Sequence, residues 1–211
     1  MKVNGSPVPR THQLMSVSVL STANHIATAR LAWRDGDAAS SNFPLSNDAL
    51  FVPGAEVEIL AGAASPDLLF KGLVVRQRLK VREGAPPQLL IECRHAATKM
   101  SLKRHGATYF DKTDSDVMSQ LCSDAGLNAT IASTSHSHKH LVQYDCSDWD
   151  FLVTRAQANG QLVFTRGADI ETRLPEASAT PVATLQFGAT LLEFDAEIDA
   201  REQTQAVKTL T

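Results

Sequence analysis

The chain has 211 residues, 43% of them hydrophobic, and sets 20 Lys and Arg against 23 Asp and Glu for a net charge of −3. That is enough apolar material for one large domain or two small ones, and the balance of charge excludes an overall positive field that would draw the chain to nucleic acid or anionic lipid. Three scattered cysteines (Cys93, Cys122 and Cys146) with no CxxC fit a chain folded in reducing cytoplasm, and the polar start MKVNGSPVPRTHQLM is neither a signal-peptide core nor a bilayer span.

Residues 1–95 read as β. In SVSVL, Val17 and Val19 alternate with Ser16 and Ser18. Next, Ala29, Leu31 and Trp33 alternate with Arg30 and Arg34 until Asp35-Gly36 breaks the strand. A Pro53-Gly54 turn precedes Val57 and Ile59, which alternate with Glu56 and Glu58. From Val75 onward, Val75, Gln77, Leu79 and Val81 fall on one face of a strand, with Arg76, Arg78, Lys80 and Arg82 on the other. Pro86-Pro87 is expected to interrupt before a further strand in LLIECRHA. Five or six short strands divided by turns suggest a small barrel or sandwich.

Beyond residue 95 the period changes. Thr113 or Asp114 stands where a helix N-cap belongs, Met118, Leu121, Cys122 and Ala125 share one helical face, and Gly126 closes it. A short strand at 129–132, a polar loop STSHSHKH and a strand LVQY follow. Ser147-Asp148-Trp149-Asp150 has the form of a capping box, with Asp148 and Asp150 in the first turn where the helix dipole favours them. Phe151, Leu152, Arg155 and Ala156 continue that helix to Asn159-Gly160, and QLVFTRG returns as a strand. After the linker 175–181, Leu185 and Phe187, then Leu192, Phe194, Ala196 and Ile198, again recur with period two.

The chemically active side chains have structural readings. His136, His138 and His140 alternate and could in principle meet a metal, but their flanks are serines and a lysine, with no HExxH helix and no cysteine pair. They read as a solvated loop. Asp148 and Asp150 are explained by capping, and Asp35-Gly36-Asp37 lacks the spacing of a calcium loop. There is no GxSxG, GxGxxG or Walker loop, and the basic face Arg76, Arg78, Lys80 and Arg82 has no interleaved aromatics of the kind single-strand binders use. Neither a catalytic residue nor a cofactor is expected.

Seven segments, in order, carry a family resemblance: 24–43, 45–62, 68–81, 91–104, 109–127, 142–163 and 187–208. The most specific is VQYDCSDWDFLVTRAQANGQLV, at 142–163. Together they resemble the N-terminal part of the Vgr spike proteins of type VI secretion, the late-control-D tail proteins of contractile phages and the spike proteins of phage-like injection particles. The resemblance implies a mainly β fold with an α+β insert: a tube-type hub β-barrel over 1–95, a small α/β domain over 96–174, and a linker with the first strands of a second β-barrel over 175–211. It implies a structural signature at Gln143, Tyr144, Ser147, Asp148, Trp149, Asp150, Phe151, Arg155, Ala156 and Gly160, with barrel positions at Asp35, Gly36, Phe70 and Gly72. Trp149 and Phe151 would be buried against the sheet.

By the same resemblance the chain would be a homotrimeric hub that docks a puncturing spike onto the inner tube of a contractile injection machine. Its partners would be an Hcp-like or tail-tube protein and other baseplate or spike-tip proteins, with no nucleic acid and no membrane insertion by this segment. It would be made in the cytoplasm, assembled into the particle, and work outside the cell or in a virion. The chain stops inside the expected second barrel, as a piece of a longer protein or a naturally short hub would. Two other classes compete: a metal-dependent hydrolase using His136, His138, His140 and Asp145, and a carbohydrate- or peptide-binding β module.

Overall fold

The structure is a computed structural model and describes residues 1–37, 39, 41–62, 66–176, 178, 180–181, 183–201 and 206. It divides into two units, Met1–Pro175 and Glu176–Thr211.

The first unit opens with a seven-stranded antiparallel sheet. Its strands are β1 (Lys2–Val3), β2 (Ser6–Pro7), β3 (Gln13–Leu20), β4 (Thr28–Arg34), β5 (Glu56–Ala61), β6 (Asp67–Arg82) and β7 (Ala85–Arg94), in the order β2-β1-β5-β6-β7-β4-β3. The period-two pattern explains the packing. Ala29, Leu31 and Trp33 of β4 pair with Cys93, Ile91 and Leu89 of β7, and all six are buried in one core with Val57, Ile59, Phe70 and Val74. The helix α1 (Pro44–Asn47) and a 3₁₀ turn at Ala49–Phe51 add Leu45 and Phe51 to the same core. The ladder ends on β2 and β3, and among the described residues no hydrogen bonds between them close the sheet on itself. β2, two residues long and ending in Pro7, is too short to pair further.

Two details differ from the sequence reading. Pro86 and Pro87 lie inside β7 and do not interrupt it, because the β6–β7 register is irregular between Lys80 and Arg82, where the missing N–H groups cost no ladder bond. Pro87 still uses its carbonyl, which accepts from the Asp35 N–H at 3.1 Å. In β6, Val75 is the extra residue of a bulge between Val74 and Arg76, and the bulge keeps Gln77 and Leu79 opposite the buried Ile91 and Leu89.

The rest of the first unit is an α/β layer. A 3₁₀ turn at Ala96–Ser101 leads to β8 (Arg104–Thr113), α2 (Asp114–Asp124), β9 (Ala129–Thr130), β10 (Ser137–Ser147), α3 (Asp148–Ala158), β11 (Leu162–Arg166) and β12 (Asp169–Arg173). β8 and β10 form one antiparallel ribbon, while β12 pairs antiparallel with β11 and parallel with β9. Val117, Met118, Leu121 and Cys122 of α2 and Trp149, Phe151, Leu152 and Ala156 of α3 bury against Tyr109, Leu141, Val163 and Ile170, making a second core. The fold is therefore mainly β with an α/β layer. Among the described residues no helix is long and apolar enough to cross a membrane.

The second unit, described by itself, has a turn in which Gln186 O accepts from the N–H groups of Ala189, Thr190 and Leu191, and a single bridge joining Phe187 and Leu191. The strands expected over 183–200 do not form among its described residues: Leu185, Phe187, Leu192, Phe194 and Ile198 stand exposed, with no ladder to satisfy the backbone.

Candidate functional site

The sequence-singled residues gather on β10 and α3. Ser147 caps α3: its hydroxyl accepts from the Asp150 N–H at 3.1 Å and donates to Asp150 Oδ2 at 2.6 Å. The helix therefore starts where the sequence sets Ser147, and Gly160, at φ +67°, stands just past its C-cap Asn159. Trp149 and Phe151 are buried, Phe151 stacking on Tyr109 of β8 with ring centroids 6.1 Å apart, and Ala156 is fully buried. Tyr144 instead points into solvent.

Asp148 does more than favour the helix dipole. Its Oδ1 accepts from Gln143 Nε2 at 2.9 Å and lies 2.7 Å from His105 Nε2. Gln143, fully buried, also donates to Cys146 O at 3.2 Å and accepts from the Tyr109 hydroxyl at 3.1 Å. Every polar atom of the Gln143 side chain is thus spent inside this seam. Burial, with the Asp148 charge next, raises the Tyr109 hydroxyl above its usual range. His105 and Asp148 border an open groove of about 520 Å³ beside Lys112, Gln120 and Asp124.

A second cluster centres on Asp114, the first residue of α2 and itself buried. Its carboxylate accepts from Arg155 Nε at 2.6 Å and Nη2 at 2.9 Å, from Asn159 Nδ2 at 2.8 Å, and faces His138 Nε2 at 3.2 Å. Burial alone would raise this carboxyl; the hydrogen bonds from Arg155, Asn159 and His138 and the guanidinium charge outweigh it and hold the pKa at about 2. Asp114 therefore ties α2, α3 and β10 together as a paired anion. Thr113, one residue earlier, is the N-cap, in a full capping box with Asp116.

The histidines do not converge. His138 and His140 lie in β10, paired with Lys112 and Phe110 of β8, and not in the expected polar loop. Pairing with β8 overrides the loop-like composition of that stretch. His138 is engaged by Asp114, His136 packs its ring edge on His138 at 4.7 Å, and His140 packs on Phe110 at 5.2 Å. Asp145 is at the other end of the strand, where Arg104 Nε donates to its carbonyl at 2.9 Å. Among the described residues no three His, Cys, Asp or Glu side chains are placed to hold a metal ion. The thiols are poor nucleophiles: burial pushes Cys93 and Cys122 up to about 12, and burial followed by the Asp150 charge raises Cys146.

In the sheet, Asp35 is buried and takes the Leu45 N–H at 2.9 Å, the Ser46 N–H at 2.7 Å and the Ser46 hydroxyl at 2.5 Å, so it holds the first turn of α1 from outside. Gly36, at φ +110°, has no room for a side chain: a Cβ would sit 2.7 Å from the Phe43 ring. At Gly72 a Cβ would come within 2.3 Å of Arg94 O and 2.6 Å of Phe70 Cζ, so Phe70 fills the space above a glycine that lets β6 and β7 approach. The outer sheet face carries an open groove of about 500 Å³ lined by Ser16, Ser18, Arg30, Arg76, Arg78 and Glu92. Arg76 and Arg94 both reach Glu92, at 2.6 and 3.3 Å.

Sequence reasoning missed His105 and Tyr109, which no local pattern joins to Asp148. It also passed over the anchoring role of Asp114, whose only local signal is its place beside the N-cap.

The profile of the Alg8 N-terminal domain family matches residues 1–211. No curated protein matches the sequence. Among solved structures the chain is similar to the tail protein from Neisseria meningitidis MC58, with a TM-score of 0.70 and 14% identity over 96% of this chain and 60% of that one. It is similar also to the E. coli protein c3393, a component of the type VI secretion system with structural similarity to the phage T4 tail proteins gp27 and gp5; here the TM-score is 0.65 and identity 12%, over 89% and 52% of the two chains. A third is the 43 kDa tail protein of prophage MuSo2 from Shewanella oneidensis, with a TM-score of 0.58 and 11% identity over 82% and 53%. The chain thus spans about half to three-fifths of the length of these proteins. The fold is that of phage tail proteins and of a type VI secretion component, as the sequence resemblance implies.

Proposed function

We propose that this chain, which belongs to the Alg8 N-terminal domain family, is a structural hub or spike component of a contractile injection machine and works by assembly rather than catalysis. The observation that carries the reading is the fold likeness over nearly the whole chain to a tail protein and to a type VI secretion component. In this reading three copies form a ring that docks the puncturing spike on an Hcp-like or tail-tube protein, with other baseplate or spike-tip proteins above it. The protein is made in the cytoplasm and built into the particle, whose working site lies outside the cell or in a virion.

The polar chemistry supports assembly. The Asp114 and Asp148 clusters spend their hydrogen bonds on tying helices to strands, and neither sets a nucleophile beside a base. A rigid layer that keeps its shape under load is what a hub requires.

Light scattering coupled to size exclusion, run at several concentrations, tests the reading. A trimer, or a trimer that appears as concentration rises, is expected. A stable dimer, or zinc retained in stoichiometric amount after dialysis, overturns it.

A further inference from the structure

The outer half of β6 has an unused edge. β5 pairs with β6 only as far as Glu56 opposite Leu73, and the last backbone bonds on that side join Val74 to Gly54 and Ala55. Beyond Val74, among the described residues, β6 pairs with β7 alone. Along Val75 to Arg82 the N–H and C=O groups that point away from β7 are therefore open, the kind of edge that takes in a further strand.

Both faces of that edge carry a signature. On the outer face Arg76, Arg78 and Lys80 alternate, and Arg78 and Lys80 make no hydrogen bond or ion pair with a described residue. On the inner face Leu79 is 41% and Val81 58% exposed, although the same strand buries Phe70, Gly72 and Val74. A strand that fits must have acids at one parity and apolar side chains at the other.

The chain contains such a segment. In residues 192–199, also eight long, Glu193, Asp195 and Glu197 alternate with Leu192, Phe194, Ala196 and Ile198. Phe194 is 76%, Ile198 94% and Leu192 98% exposed, and none of these residues lies in a strand.

We propose that residues 192–199 of a second copy add as a strand to the free edge of β6. Side chains of neighbouring strands share faces at paired positions, so one antiparallel register sets Glu193, Asp195 and Glu197 beside Lys80, Arg78 and Arg76 while Leu192 and Phe194 lie opposite Val81 and Leu79. A shift by one residue reverses both matches at once, which fixes the parity. The contact is heterologous, edge of one copy to segment of the next, and a contact of this kind closes into a ring where the rotation between copies closes. This rests on the threefold hub proposed above and names the surface that closes it.

The test uses the whole chain. R78E/K80E leaves the Arg76–Glu92 pair in place and is expected to weaken self-association about tenfold or more in light scattering, with unchanged circular dichroism. D195K/E197K should do the same, and R78E/K80E/D195K/E197K should recover the association lost by each. A trimer that survives R78E/K80E, or a fourfold variant that stays dissociated, overturns the strand addition and leaves the threefold reading standing. A wild type that remains monomeric at every concentration overturns both.

Discussion

At Asp114 a single carboxylate holds three elements, and its titration should be visible in the stability of the whole first unit. The folded pKa is depressed to about 2, below the ordinary value near 3.8, so the stabilisation is fully present above pH 4 and is lost as pH falls from about 4 to about 2. A depression of that size on a buried, paired group corresponds to on the order of 2 kcal/mol. His95 acts in the same direction at higher pH. Burial lowers the pKa of its imidazole, against a smaller opposing pull from Ala168 and Asp169, and Nδ1 accepts the Ala97 N–H at 3.1 Å. Its share is present above the ordinary value near 6.5 and declines as pH falls below it. Denaturation midpoints measured from pH 7 to 2 should therefore fall in two stages. Asp114→Asn should flatten the lower stage and leave the upper one, because Asn cannot supply the charge that Arg155 requires yet leaves His95 untouched. An acid limb unchanged in Asp114→Asn would show that the cluster carries no linkage.

At the scale of elements, α3 shows how a local signal survives folding. Ser147→Ala removes the hydroxyl that accepts the Asp150 N–H and should cost about 1 kcal/mol, read as a lower urea midpoint at constant slope. α2 and α3 were legible because their ends are written in short range: Thr113 and Ser147 before them, Gly126 and Gly160 after. The strands of the first sheet were legible where one face is buried, as with Leu31 and Trp33. β8 was not. Its adjacent Tyr109 and Phe110 blur the alternation, and Gly106 and Asp111, the latter at φ +50°, look like breakers. Its existence depends on β10, a partner far along the chain, and the same pairing drew His138 out of the expected loop. Likewise Pro86-Pro87 read as an interruption because the irregular register that tolerates them is a property of two strands, not of one. Of the candidate site, the cap and the buried aromatics could be read from spacing. The His105–Asp148–Gln143–Tyr109 seam could not, since it joins residues up to 43 positions apart.

The first unit as a whole contains two cores. One core contains Trp33 and the other Trp149, and these are the chain's only tryptophans. Between the cores, Asn24 donates its N–H to Val163 O at 2.7 Å and accepts the Val163 N–H on its Oδ1 at 2.9 Å. The buried Ala27 N–H donates to Thr165 Oγ1 at 2.9 Å. Asn24 also sits at φ +62°, a conformation Asn tolerates better than most residues. Both bridging residues are local in neither core, so their loss should weaken coupling more than it weakens either core. Thr165→Val keeps the shape and strands the Ala27 N–H, a loss of roughly 1–3 kcal/mol. Asn24→Ala removes one bond and adds backbone strain. Trp33→Phe and Trp149→Phe each leave one reporter. In the otherwise unaltered chain the two reporters should give coincident denaturant transitions, the sign of a single cooperative unit. With Asn24→Ala and Thr165→Val added, the Trp33 and Trp149 transitions should separate. Transitions that move together in the joint variants would mean that the cores are coupled through packing beyond these three bonds. If the chain works as the hub proposed above, its sheet and α/β layer have to move as one body, and these hydrogen bonds are among the contacts that join them.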